Sequence, residues 1–339
     1  MIGPLLTLLV VLLVVGAGLC ALVVWMMARM LLRPPRMSDP KAMFILNRVS
    51  PADLDLPFEP MSFNVVDPRG QQRLRLTSWW IPADHFSERC VVLIHGYADA
   101  KVGAIAWAPM FRRLGFNCLA IDLRAHGDAD GLDTTAGFFE RHDVDAIVTE
   151  LRATHPPLTR ELFLFGVSLG AAVAVNVAAM RDDLSGIILD CPFADYRHAV
   201  RAHAAIMRMP LEALQMTAVA LAERLSGADF RAVRPVDRLV EARCPVLLIH
   251  SNDDPFVPEK DVRLLHDAMQ RRPEPYRALD DAWRIDGSPH VMGLAHATDA
   301  YIERVRSFLD RARAATPSVP SVAPDPSSTA RERRHEHRD

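Results

Sequence analysis

The sequence predicts an α/β protein: a mostly parallel eight-stranded sheet with helices on both faces and a short helical cap, preceded by one transmembrane helix. Three observations lead there. Apolar runs of strand length alternate with longer stretches of helical period, the pattern of a parallel sheet covered by helices. The 339 residues are 50% hydrophobic with a formal net charge of −3, which suffices for one large core and lacks the basic excess of a nucleic-acid binder. From Leu5 to Ala28 the chain carries no charged side chain, a length that crosses the hydrocarbon core of a bilayer as a helix.

Residues 1–32 are read as a retained membrane anchor. A cleaved signal peptide would want a basic stretch before the apolar run and a small-x-small site after it. Neither is present, and Leu19 stands where a lipoprotein signal ending at Cys20 would need a small residue. Arg29, Arg33, Arg36, Lys41 and Arg48 follow the span and no basic residue precedes it. The positive-inside rule then directs the following domain to the cytoplasm, at the inner membrane if the cell is bacterial. Residues 33–60 read as a linker, opened by the helix-breaking prolines of "RPPRMSDPKA". On that reading a chain starting near Pro40 is soluble and self-sufficient.

The strands follow in order. "MSFNVVD" and "LRLTSWWI", joined by "PRGQQR", make an antiparallel hairpin. "CVVLIHG", "FNCLAID", "ELFLFGV", "GIILDC", "PVLLIHS" and "AWRIDG" supply the rest of the sheet, and helical stretches such as "RHDVDAIVTELRAT" and "AYIERVRSFLDRARA" lie between or after them. Cys90, Cys118, Cys191 and Cys244 sit at the edges of apolar runs, without metal-site or disulfide-framework spacing, and read as buried thiols. No cofactor and no metal is expected. Residues 313–339 read as a disordered tail, Pro/Ser-rich and then highly charged, with His335 and His337 part of a solvated charge run.

Chemistry enters at "LFLFGVSLGAAVAVNVAA". Here Gly166-x-Ser168-x-Gly170 follows a strand and precedes a helix, the context of a nucleophile elbow. The sharp turn strains the serine backbone and requires small residues two positions to either side, which Gly166 and Gly170 supply. A serine hydroxyl is a poor nucleophile at neutral pH, so it needs a base, and the base needs an orienting acid.

Five ordered motifs carry a resemblance: "LIHGYADAK", "IDLRAHGDADG", "GVSLG", "LLIHSNDDPFVP" and "GSPHVMG". With them the chain resembles the α/β-hydrolase superfamily over residues 61–312, in particular its single-pass membrane-anchored serine hydrolases. The resemblance implies Ser168 as nucleophile, Asp254 as acid with neighbouring Asp253 as the alternative, and His290 as base with His296 as its rival. It implies an oxyanion hole formed by the backbone N–H groups of Leu169 and Tyr97, the latter approached over Gly96.

A helix-rich insertion at about residues 195–240 would cap the site. Its Met207, Met209, Leu211, Leu214, Met216 and Leu221 either line an acyl pocket, touch the bilayer, or pack the cap onto the sheet. The implied activity is a membrane-tethered hydrolase of small-molecule or lipid-like carboxylic esters or thioesters. The alternatives are a peptidase or amidase on the same fold, or a non-catalytic scaffold. The expected contacts are substrate and membrane, with no nucleic acid and with the oligomeric state left open.

Overall fold

The structure, a computed structural model, describes residues 2–70, 72–209 and 211–315. From residue 316 on, the expected tail lies outside the described residues, as do His335 and His337.

All eight expected strands form one sheet: β1 (Glu59–Val66), β2 (Arg73–Ile81), β3 (Arg89–Ile94), β4 (Asn117–Ile121), β5 (Glu161–Val167), β6 (Gly186–Asp190), β7 (Val246–Ser251) and β8 (Asp281–Ile285). Their spatial order is β1-β2-β4-β3-β5-β6-β7-β8. β2 runs antiparallel to β1 and to β4, and every other pairing is parallel.

The helices are α1 (Ile2–Leu32), α2 (Asp39–Leu46), α3 (Lys101–Ala104), α4 (Ala108–Arg113), α5 (Glu140–Thr154), α6 (Leu169–Ala178), α7 (Tyr196–Ile206), α8 (Glu212–Ser226), α9 (Pro235–Glu241), α10 (Glu259–Gln270), α11 (Tyr276–Leu279), α12 (Gly293–His296) and α13 (Thr298–Ala315).

Side chains alternate across a strand, so β3 feeds two cores. Val92 and Ile94 pack with α5, α6, α9 and α10 through Val144, Val173, Leu239 and Leu265. Val91 and Leu93 pack on the other face with Phe111 of α4 and with Tyr301, Val305 and Phe308 of α13. Strands buried on both faces must be apolar throughout, which is why the central ones read as unbroken hydrophobic runs.

The N-terminal helix is long and apolar enough to cross a membrane, and it has two unlike parts. Residues 3–23 are exposed throughout. Val24, Ala28 and Leu32, spaced to fall on one helix face, are buried with Ala218, Val219 and Ala222 of α8. The small side chains of α8 allow that close approach.

Here the structure differs from the linker reading. Arg36 donates to the carbonyls of Gly127, Ala129 and Gly131 at 2.7–2.8 Å. Arg33 pairs with Asp133 at 3.0 Å, and the Leu32 carbonyl accepts from the Thr134 N–H at 2.7 Å. Ala42 of α2 is buried against Ala100 and Val102. Arginines readable only as topogenic charges also clamp the helix end to the loop after β4, so contacts with the folded domain begin at Val24.

Candidate active site

Ser168 stands between β5 and α6 with φ 51° and ψ −113°, a region that costs a non-glycine residue about 1–3 kcal/mol. The surroundings enforce it. A Cβ on Gly166 would stand 2.3 Å from the Gly170 carbonyl oxygen, and one on Gly170 would stand 2.2 Å from that of Ile94. Both glycines are therefore steric requirements of the turn. Gly96 is different: an added Cβ would stand 3.5 Å from Ser168 Cβ, ordinary contact, so what glycine keeps open there is the space beyond.

The loops after β7 and β8 bring an acid and a base together. His290 Nδ1 lies 2.5 Å from Asp254 Oδ2, while Asp254 Oδ1 accepts the N–H groups of Phe256 at 2.8 Å and Val257 at 3.0 Å. Both carboxylate oxygens are thus engaged, and the carboxylate is buried. Asp253 is exposed, and His296 is exposed on α12; neither joins this pair. Ser168 and His290 face one cavity of about 430 Å³.

Leu169 is the first residue of α6, so its N–H has no intrahelical acceptor and lies at the positive end of the helix. Tyr97, in the loop after β3, lines the same cavity. His95 holds that loop: its Nε2 accepts the Leu123 N–H at 3.0 Å, which leaves Nδ1 as donor to the Gly96 carbonyl at 2.7 Å. Burial first, with the neighbouring His126 adding to it, lowers the His95 pKa to about 3; this ring stays neutral and works as a strut. Lys101, just beyond, binds Asp122 through both its backbone N–H and its ammonium.

The tyrosine hydroxyl reaches further, donating to the carbonyl of Met30 in the last turn of α1. That carbonyl is one of the four that a helix C-terminus leaves without intrahelical donors.

Met27, Met30 and Leu31 of α1 line one side of the cavity, and Val200, His203 and Met207 of the cap line the other. Of the cap residues singled out in the sequence, Met207 and Met209 reach the cavity. Leu214, Met216 and Leu221, themselves on α8, pack against the cluster that holds Val24, Ala28 and Leu32 of α1, and Leu211 is exposed. α9 belongs to the core beneath the sheet through Val236 and Leu239. Phe256 bridges two rings, 4.5 Å from His203 and 5.1 Å from His290 between centroids.

The carboxyl end of β6 contributes residues that sequence reasoning missed as site supports. The Asp190 carbonyl accepts the Ser168 N–H at 2.9 Å, and its carboxylate accepts the Tyr301 hydroxyl at 2.6 Å. Cys191, φ 52°, accepts the N–H of Val291 on its sulfur at 3.4 Å and faces Ser251 Oγ at 3.5 Å. Val291 itself has φ 60°, which is rare for a β-branched residue. Residues at positive φ thus stand beside both Ser168 and His290. The one sequence signal was position: "LDC" ends a strand of a parallel sheet, where ligands bind.

Cys191 Sγ, Asp254 and His290 bring ligand atoms within 4.8 Å of one another, the one such group among the described residues. Burial pushes the Cys191 thiol well up. Its sulfur is already hydrogen-bonded to the Val291 N–H and to Ser251 Oγ, the place of a support for the loop that carries His290.

The fold and this arrangement are those of hydrolases built on an α/β sheet with a serine at the strand–helix elbow, and similar proteins agree on the fold and the superfamily. The chain is 30% identical to the uncharacterized Bacillus subtilis protein YqkD over 234 residues, 67% of this chain and 73% of that one. It is 24% identical to the lysophosphatidylserine lipase ABHD12 of Danio rerio over 195 residues, 56% of this chain and 49% of the lipase, so it spans about half of that relative. The family described as serine aminopeptidase, S33 matches residues 87–233, a range that holds Ser168 and ends before Asp254 and His290. Among solved structures, the Pyrococcus furiosus esterase PF2001 superposes with a TM-score of 0.64 at 23% identity, covering 83% of this chain and 97% of the esterase, a likeness of fold. The chain belongs to the α/β-hydrolase superfamily.

Proposed function

We propose that this protein is a membrane-anchored serine hydrolase that cleaves carboxylic esters or thioesters of acyl or lipid-like substrates, with residues 61–312 as its catalytic unit. The observation that carries the reading is the Asp254–His290 pair at 2.5 Å, facing the same apolar cavity as a serine held at positive φ.

Ser168 Oγ attacks the carbonyl carbon and gives its proton to His290 Nε2, while Asp254 keeps the other ring nitrogen protonated and steadies the imidazolium. The N–H groups of Leu169 and Tyr97 receive the oxyanion, an interaction typically worth several kcal/mol in the transition state. Collapse expels the alcohol or thiol with the proton from His290 and leaves an acyl-serine. Water, activated by the same base, then releases the acid and restores the hydroxyl.

The relative that is a lysophosphatidylserine lipase and the apolar lining of the cavity support an acyl substrate. The family's aminopeptidase description supports amide cleavage as the second reading, with the same residues.

The docking of residues 24–36 supports a retained anchor, since cleavage of a signal would remove buried packing. The basic flank supports a cytoplasmic domain. A C-terminal reporter pair checks the side: GFP fluorescence is expected and alkaline phosphatase activity is not. Fluorophosphonate labelling followed by p-nitrophenyl esters of increasing chain length tests the chemistry. Amide turnover exceeding ester turnover would select the second reading.

A further inference from the structure

Three features of α1 converge on the cavity. The first is length. Residues 3–23, exposed throughout, run roughly 30 Å at about 1.5 Å per residue, the thickness of a bilayer's hydrocarbon core. The second is the interfacial marker that follows: Trp25, exposed, with the Arg29 guanidinium 5.8 Å from its ring, the residue types that settle at headgroup level. The third is that the next turn carries Met27, Met30 and Leu31 into the wall of the cavity that holds Ser168 and His290. The helix therefore leaves the hydrocarbon and, within two turns, becomes part of the site. Met30 and, across the cavity on the cap, Met207 are also exposed, so the rim is apolar on the side of α1.

We propose that the last two turns of α1 form one wall of the acyl pocket, and that the acyl chain of a membrane-resident ester enters along this wall, between α1 and α7, directly from the bilayer. The ester chemistry rests on the function proposed above; the wall does not. A chain taking this path exchanges lipid contacts for Met27, Leu31, Val200 and Met207 without crossing water. The ester carbonyl stops where the polar groups begin, at Ser168. Chain selectivity thus resides in a helix that sequence reading assigns to anchoring alone.

The test uses the full chain in lipid nanodiscs. Met27→Trp narrows the pocket and should lower the ratio of kcat/KM for p-nitrophenyl dodecanoate over butyrate by about tenfold, the worth of about two buried methylenes. Met27→Ala should shift the preferred chain length upward. Leu12→Trp, in the lipid-facing part of the same helix, should leave the ratio unchanged.

Binding of a dansyl-labelled undecanoic acid to the Ser168→Ala protein, read by fluorescence, gives a measure independent of turnover, and Met27→Trp should weaken it about tenfold. Ratio and binding both unmoved by the two Met27 variants would overturn the wall. So would an equal shift with Leu12→Trp. Absent labelling and turnover, with fatty-acid binding still sensitive to Met27, would overturn the hydrolase reading and leave the wall standing.

Discussion

Two apolar helices point opposite ends at one cavity. α6 is buried at every residue, packed between the sheet and its neighbours, and presents its N-terminus, with free N–H groups, at Ser168. α1 is exposed over residues 3–23 and presents its C-terminus, whose free carbonyl at Met30 is taken by the Tyr97 hydroxyl. Similar composition, opposite polarity: on the function proposed above, one helix brings donors to the reacting oxygen, and the other brings apolar side chains and a carbonyl that holds the loop carrying the second proposed donor. What distinguishes them is what each packs against, and this decides whether a helix serves the chemistry or the substrate.

The sharpest separation comes from the α6 end. Ser168→Ala removes one oxygen and leaves the elbow glycines in place, so the protein should fold as before while fluorophosphonate labelling and ester turnover fall below detection. Undiminished labelling would move the nucleophile elsewhere and dissolve the contrast between the two helix ends.

Next in size is the acid. In Asp254→Asn the amide oxygen stays with the N–H groups of Phe256 and Val257, which turns the amide NH₂ toward His290 Nδ1. The ring must then accept there and carry its proton on Nε2, the nitrogen needed to receive the Ser168 proton. Turnover should drop by about 10⁴, the scale of the corresponding change in a serine protease. Asp253→Asn, on an exposed side chain, should be nearly silent; the reverse pattern would put the acid one residue earlier.

The α1 end should show in stability before it shows in rate. Full burial of a Val or Leu side chain is worth about 1.5–3 kcal/mol, so a chain lacking residues 1–36 forfeits on the order of 3–6 kcal/mol from Val24 and Leu32 alone. Against a chain lacking only residues 1–22, its Tm should fall by roughly 5–10 °C, measured by scanning fluorimetry in the same detergent. Equal Tm values would restore the linker reading.

The contrast also explains what the sequence disclosed. The eight strands, the antiparallel hairpin and the elbow are locally signalled: they rest on period, on turn chemistry and on a Gly-x-Ser-x-Gly spacing, although Gly170 also answers to a distant neighbour, the Ile94 carbonyl. Asp254 against Asp253 was a one-residue register question in the sequence; the loop geometry puts Asp254, with two N–H groups gathered on Oδ1, 2.5 Å from His290, and leaves Asp253 exposed. The docking of α1 was not legible. Val24, Ala28 and Leu32 repeat at helical spacing, but in a uniformly apolar segment that stripe has no polar background to stand out against. The Tyr97–Met30 contact joins residues 67 positions apart, and the Arg36 clamp reaches across more than 90. Such contacts leave no periodic trace, and the cap methionines were ambiguous for the same reason.

The smallest expected effect joins the two helices. Tyr97→Phe keeps the backbone N–H proposed for the oxyanion hole, so chemistry should survive, but it releases the loop from the Met30 carbonyl. One net hydrogen bond is worth about 0.5–1.5 kcal/mol, and if that tie is spent on aiming the N–H at the oxyanion, kcat for a short ester should fall roughly 2- to 10-fold with KM little changed. A purely structural hydroxyl would instead lower Tm and leave kcat per folded molecule alone. The decisive comparison is the same substitution in the chain lacking residues 1–36, assayed at a temperature where both are folded. There the Met30 carbonyl is already gone, so Tyr97→Phe should cost nothing further, and the difference between the two backgrounds is the coupling between the membrane helix and the site. An equal loss in both would mean that the hydroxyl acts on the substrate itself, and that α1 touches the chemistry through the pocket wall alone.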